Sequence, residues 1–560
     1  MSETGALVSR VYGAFRGVDF RGEEIDLPRS PDSLNVWKDY KETDSIRTRP
    51  GKEIYASFDS YPVNGIFFYN GVMLVHSGTK LYKVVNKRPT EIKSNLNNAV
   101  SDAFVYKGVW YFKDGKNYLQ YDGQTIKEVE GYVPTTSIGR KPEGGGTINE
   151  DVNMLTGRRR NTFLADNASL DYHLDAPNGI DTDFPPIVKV DDELVTNYTV
   201  DYEKGIIKFD KAPFAPSTVG RDNVSVEFSV TNSEYRNAIE GCTLLQVFDN
   251  RVFFSGNPNY PNFVWHCSLD DPTYCSDLDY YREGLDSAKI TGLVAGNNAL
   301  WVFREPSDAH TTVFYHTPTL DSEYGKIYPS QHSSITTGCV GKAINFNDDI
   351  IFFSERGMEG ISGDITTEQA VAHRSSLVDR KMIADLNYKN MVLAEWEGYL
   401  FVFIGSKAYL ADSRTIFAND GHAEYEWFYW DLGAHITCAS VHDGVLYLGA
   451  GNTVSTLTDN NSDVESYWVT PKDKFLSPHK LKTTNKRGCV VEAKGDISVY
   501  AKLEDTDFEL IGTYENITDY FVSRIKRKKW KDIQLKFYSK TRFSLETATL
   551  EAFVGGYIKR

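Results

Sequence analysis

Long apolar runs are missing from this 560-residue sequence. No stretch approaches the ~20 residues needed to span a bilayer, so membrane insertion is not expected. The opening MSETGALVSRVYG lacks the apolar centre of a secretory signal. Cysteine is scarce: Cys242, Cys267, Cys275, Cys339, Cys438 and Cys489 show no recurring pair spacing. No disulfide framework is expected, and a reducing compartment at synthesis is. None of the 11 histidines lies in His-Glu-x-x-His or pairs with cysteine at zinc spacing. Gly-x-Ser-x-Gly is absent. These gaps exclude the common zinc and serine hydrolase signatures, so no catalytic residue, metal or cofactor is expected. Positive charge is in deficit, 61 Lys and Arg against 77 Asp and Glu, a net −16. A field of that sign repels nucleic acid and acidic membranes. Long heptad patterns are absent as well.

What the sequence has is hairpins. GIFFYNGVMLVHSGTKLYKV, Gly65 to Val84, reads as two strands joined by Asn70-Gly71. Both turn residues tolerate positive φ, as a type I′ turn requires. The aromatic and β-branched flanks suit a half-buried pleated surface. The same chemistry recurs at Lys107-Gly108, Asp249-Asn250, Asn297-Asn298, Asp348-Asp349, Glu397-Gly398 and Asp443-Gly444. The second turn residues are spaced by 37, 142, 48, 51, 49 and 46 residues. Four-stranded propeller blades recur at roughly 40–50 residues. The interval of 142 leaves room for one inserted domain. The expected fold is therefore all-β: a β-propeller of six or seven blades, with an inserted small β-sandwich and a β-rich C-terminal region.

Five segments follow. Residues 1–60 form an N-terminal arm, expected to pack on the propeller and close its ring. Pro28 and Pro31 break any helix between them, and 33–40 could make one helical turn capped by Asp32 or Ser33. Residues 61–135 are the first part of the propeller. Gly144, Gly145 and Gly146 then read as a flexible link into the insert, 150–236. The insert shows short alternating strands, including a hairpin of Tyr198–Tyr202 with Gly205–Phe209. Its Arg158, Arg159 and Arg160 are a candidate contact for an anionic partner, with a solvated loop as the alternative. Residues 237–470 are the second part of the propeller. Within it, SSLVDRKMIADLNY is the best helix candidate, with Leu377, Met382, Ile383 and Leu386 close to one face. Residues 471–560 carry longer strands. Here Arg524, Lys526, Arg527, Lys528, Lys529 and Lys531 place six cations in eight positions around Trp530. On a strand, Arg524, Lys526, Lys528 and Trp530 would face one way, and Arg527, Lys529 and Lys531 the other. The run is a candidate contact for a neighbouring subunit or for DNA phosphate. It could equally be a lysine-blunted edge strand.

The stretch from Gly17 to Gly51 has a glycine-rich opening, a Pro-x-Ser/Asn-Leu step, an aromatic, then Arg47-x-Arg49-Pro50-Gly51. It resembles the N-termini of tail nozzle or tail hub proteins of short-tailed bacteriophages, which include the packaged-DNA stabilisation proteins. The insert is similar to those that such proteins carry. The helix candidate before MVLAEWEGYLFVFI, and the basic run followed by a strand ending in Ser-Lys, are also similar to segments of that group. The resemblance implies a virion protein made in the host cytoplasm, a homo-oligomer forming a sixfold ring or tube below the portal and its adaptor. It implies contact with tail fibre or spike proteins and transient passage of double-stranded DNA. Two alternatives stand beside it: a tail-tip module binding host glycans through the insert, and a propeller glycosidase with carboxylates in its funnel.

Overall fold

The computed structural model describes residues 5–39, 44–231, 233–307, 311–322, 325–362, 365, 370–419, 422–459, 463–526 and 529–557. The chain is all-β and of the β-propeller class. It divides into two compact units: residues 1–98, 311–313 and 333–560, and residues 99–310 and 314–332.

The first unit holds four four-stranded antiparallel sheets. Three are continuous in sequence and span 63–93, 343–373 and 392–431. The fourth takes Cys438–His442, Val445–Ala450 and Thr453–Thr458 from late in the chain and Gly51–Ser57 from its beginning. Gly51 pairs with Thr458 and Ser57 with Thr453, so an N-terminal strand completes the last sheet. The second unit holds three more such sheets, spanning 102–128, 244–282 and 290–332.

Each of the seven sheets opens on one of the hairpins anticipated from sequence. Asn70, Lys107, Asp249, Asn297, Glu397 and Asp443 all have φ between 46° and 52°, and their successors are positive too. The fifth turn differs by one residue. Asn347 and Asp348 take the positive φ values, 51° and 63°, and Asp349 begins the next strand. Phe346 pairs with Asp349, which keeps Phe346 and Ile351 buried. Starting one residue later would turn these apolar side chains to the wrong face.

Within the N-terminal arm, Gly51–Ser57 enters a four-stranded sheet, and Val18 and Phe20 donate backbone hydrogen bonds to the Trp427 and Leu377 carbonyls. The arm's other strands join the C-terminal region in one 11-stranded sheet. Ala6–Tyr12 pairs along its whole length with Phe543–Tyr557. Ser33–Leu34 pairs with Ser466–Val469, and Ile46–Thr48 with both Val36–Trp37 and Phe543–Tyr557. No helical turn forms in the described part of 33–40. Asn35 has φ 57° between two short strands, its amide donates to the Glu465 carbonyl at 2.8 Å, and Val36 and Trp37 are buried. Gly17 has φ 85° and lies so close to the Trp427 carbonyl that a side chain there would collide with it. Trp37, Trp430, Trp468 and Trp530 share one core within this unit.

The insert is a sandwich of a six-stranded and a three-stranded sheet. Its core includes Phe163, Tyr172, Val188, Ile207, Val226 and Phe228. The anticipated hairpin pairs Tyr198 with Phe209 and Asp201 with Ile206. Two expectations need correction. The six-stranded sheet takes in Thr135–Arg140, so the insert's fold starts ahead of residue 150. Gly144–Gly146 is then no link into the domain but a turn inside it, between Thr135–Arg140 and Thr147–Ile148. All three glycines have positive φ (112°, 76° and 91°), and the Arg140 guanidinium donates to the Gly145 carbonyl at 2.7 Å.

Of the helix candidate, Asp379–Met382 forms an α-helical turn and Tyr388–Asn390 a 3-10 turn. Leu377 and Met382 are buried, whereas Ile383 is exposed and Leu386 fully so. The four do not share one face because the helix ends at Met382. Cys267 and Cys275 are joined as a disulfide. The absence of a recurring spacing hid this single local pair.

Candidate interaction surface

The C-terminal basic run lies against the longest strand, Lys480–Leu503. One edge of that strand pairs with Phe543–Tyr557 and then Ile533–Ser539. The other edge carries three short partners: Lys529–Trp530, Tyr520–Ser523 and Glu509–Ile517. The run is thus split. Phe521, Ser523 and Ile525 turn inward, which sends the side chains of Arg524 and Lys526 outward. Lys529 and Lys531 are exposed. Arg527 and Lys528 lie outside the described residues.

The expected alternation is overturned at Trp530. Its ring is fully buried against Phe475, with centroids 5.2 Å apart, and its Nε1 donates to Thr484 Oγ1 at 3.1 Å. Arg524 and Lys526 therefore do not share its face. Residues 524–526 are irregular, so a strand's period of two does not carry through to Trp530. The Lys531 backbone is engaged: its N–H donates to Glu504 Oε1 at 3.1 Å, and its carbonyl accepts from Lys482 Nζ at 2.7 Å. Burial lowers the pKa of Lys482.

Between the run and the strand Glu509–Ile517 lies a groove of about 290 Å³. Leu503, Leu510 and Ile511 supply its accessible apolar surface, and the buried Ile525 and Trp530 also line it. Arg524, Lys526 and Lys529 line one side; Glu504 and Glu509 line it as well. Among the described residues, those three cations have neither an ion pair nor a side-chain hydrogen bond. A half-apolar groove bordered by free cations can take an extended, acidic polypeptide segment.

The arginines of the insert are arranged otherwise. They lie on the strand Arg158–Phe163, not on a loop. Arg158 and Arg160 both pair with Glu227, the latter at 3.2 Å. The Arg158 guanidinium also lies 5.0 Å from the Phe184 ring, and that of Arg159 5.7 Å from Phe228. These are internal contacts of the sandwich, which leaves little of the cluster for an outside anion. Arg160 also borders a polar cleft of about 700 Å³ with Lys189, Asp191, Asp192, Arg221 and Asp222. That cleft joins strands and loops far apart in sequence, so no local motif marks it.

Two ionic clusters in the first unit were also missed. Arg29 and Glu426 are both buried and bond at 3.0 and 3.2 Å. His373 sits between Asp379 at 2.6 Å and Glu359 at 3.3 Å. Burial pulls its pKa down, but bonds to Asp379 and Glu359 outweigh this and raise it to about 10. The described residues hold no group of three or more His, Cys, Asp or Glu arranged to take a metal ion. None of their helices is long and apolar enough to cross a membrane.

No family model and no curated protein matches this chain. Among solved structures, it is similar to BamB from Moraxella catarrhalis, at 10% identity and a TM-score of 0.35, covering 78% of this chain and 95% of that one. It is also similar to the AfRom2 CNH domain, at 9% identity and a TM-score of 0.33, covering 73% and 99%. A third is YCF48 bound to D1 peptide, at 5% identity and a TM-score of 0.33, covering 73% and 98%. At this distance they bear on neither partner nor activity.

Proposed function

We propose that this chain is a virion structural protein: a subunit of the ring or tube, the tail nozzle or hub, that sits below the portal and adaptor of a bacteriophage. In that place it retains packaged DNA and conducts it during ejection. One observation carries the reading. The two stretches that resemble the nozzle proteins, 17–51 and the basic run with the strand after it, lie at opposite ends of the sequence. Yet their strands Ser33–Leu34, Val36–Trp37, Ile46–Thr48, Lys529–Trp530 and Ile533–Ser539 belong to one sheet. Two remote likenesses that fall on one structural element support each other better than two scattered ones.

The charge is compatible with this role. A basic lumen would bind DNA in proportion to the phosphates it neutralised, whereas an acidic one lets the duplex slide. The net −16 suits such a conduit.

The test is to measure the mass of the purified protein and to add it to tailless particles. Sixfold rings that bind the particles and restore DNA retention are expected. A monomer that ignores the particles and cleaves polysaccharide would overturn the reading in favour of a glycosidase. A glycan-binding trimer would do so in favour of a tail-tip module.

A further inference from the structure

The insert carries the one run of three consecutive carboxylates in the sequence, Asp191-Asp192-Glu193, followed by Leu194. Asp191 and Asp192, with φ 49° and 67°, form a two-residue turn between Ile187–Val190 and Glu193–Val195. That geometry leaves all three acids exposed, with Asp192 in a solvent-exposed ion pair with Arg221 at 3.8 Å, and Leu194 70% exposed. The chain thus presents an acidic tip with an uncovered leucine. Its most concentrated basic run borders a half-apolar groove with three cations that lack partners among the described residues.

The backbones are complementary as well. Glu193–Val195 is the end strand of the six-stranded sheet. Glu509–Ile517 pairs with Lys480–Leu503 and no other strand among the described residues. Each offers a free edge, and edge-to-edge pairing is a recurrent way to join chains. The minor charges agree too. Lys189 stands opposite Leu194 in the hairpin register, and Glu504 and Glu509 line the groove.

We propose that the hairpin around Asp191–Leu194 of one copy of this chain docks in the groove lined by Arg524, Lys526 and Lys529 of a second copy. Leu194 then covers Leu510, and Glu193–Val195 lies beside Glu509–Ile517. Groove and hairpin are different surfaces, so the contact is head-to-tail, the kind that closes into a ring when its rotation allows. The identity of the partner as a neighbouring ring subunit rests on the function proposed above.

The first arm mixes a Leu194→Cys protein with a Leu510→Cys protein under mild oxidation. Both leucines are exposed, and the natural free cysteines are buried or half-buried. A disulfide between the two variants is expected, formed in preference to like pairs and suppressed by salt. The second arm measures self-association by sedimentation. Asp191→Lys with Asp192→Lys should weaken it at least about tenfold, as should Arg524→Glu with Lys526→Glu, and the four together should restore it. Rings that persist in every variant, with no cross-link and no rescue, overturn the docking and leave the nozzle reading standing. Cross-link and rescue in open chains or dimers, without rings on or off particles, uphold the docking and overturn the nozzle reading. A wild-type protein that neither self-associates nor cross-links overturns both.

Discussion

Two basic clusters, three arginines in a row and six cations in eight positions, look alike in sequence and are unlike in the structure. The arginines of 158–160 sit on a strand whose neighbour supplies Glu227, and that carboxylate takes two of them. Arg524, Lys526 and Lys529 stand beside a groove with no acid bonded to them among the described residues. Density of charge therefore says little about availability. What decides is the residue across the ladder, and that residue lies 67 positions away for Arg160. Cations with progressively weaker internal partners should cost progressively less to remove. The variants below rank that effect from largest to smallest.

Arg29 is the extreme case. It is buried with Glu426, and its guanidinium also lies 4.4 Å from the Phe417 ring. Arg29→Met leaves Glu426 buried without its cation, and a loss of about 3–5 kcal/mol in denaturant unfolding is expected. Burial already raises the pKa of Glu426 while Arg29 lowers it. Without Arg29 the carboxyl would take up a proton more readily, so the loss should be smaller in acid. Equal stability of variant and wild type would show that this pair holds nothing together.

His373 comes next, a cation by virtue of its two carboxylates. Its folded pKa of about 10 lies above the ordinary 6.5. A raised pKa contributes stability fully below pH 6.5, and that contribution fades as pH climbs through 10. Wild-type protein should lose stability across this window relative to His373→Gln, whose profile should be flatter. Parallel profiles would mean that the imidazole is not charged in the fold.

The seven hairpins were legible because each is decided by neighbours in sequence: a turn that accepts positive φ and apolar flanks on either side. Asn347-Asp348 slipped by one residue only because three of the four residues 345–348 are turn formers. The 11-stranded sheet was not legible. Its ladder joins Ala6 to Val554 and Ser33 to Trp468, and no local pattern announces such a partner. Gly144–Gly146 misled for a related reason. Three glycines look alike as a flexible link or as a positive-φ turn, and the Arg140 bond to Gly145 comes with the folded sheet. For the candidate site, the cations were readable but the groove was not. Leu510 is brought there by pairing with Tyr500 of Lys480–Leu503, and Glu504 stands in the turn that follows that strand.

Within the insert, Glu227→Gln weakens the pairing of Arg158 and Arg160. Both arginines are about two-fifths exposed, so solvent already screens them. A loss of about 1 kcal/mol or less is expected in thermal or denaturant unfolding, and less in high salt. A loss as large as that of Arg29→Met would mean that exposure does not grade these pairs.

The smallest effect on stability should come from the groove. Arg524→Ala, Lys526→Ala and Lys529→Ala remove side chains bonded to nothing among the described residues, so unfolding should shift by no more than about 0.5 kcal/mol. Truncation also removes like charges from one groove, and a slight gain would agree with that. The same variants should weaken self-association, and weaken it less as salt rises, because salt already screens the interaction they remove. Stability and assembly thus respond in opposite order for the two clusters: Glu227→Gln perturbs folding without touching assembly, and the groove variants do the reverse. Should the groove variants unfold as readily as Arg29→Met, their side chains would be structural. Should they leave both folding and assembly untouched, the run would be an edge kept soluble by its lysines.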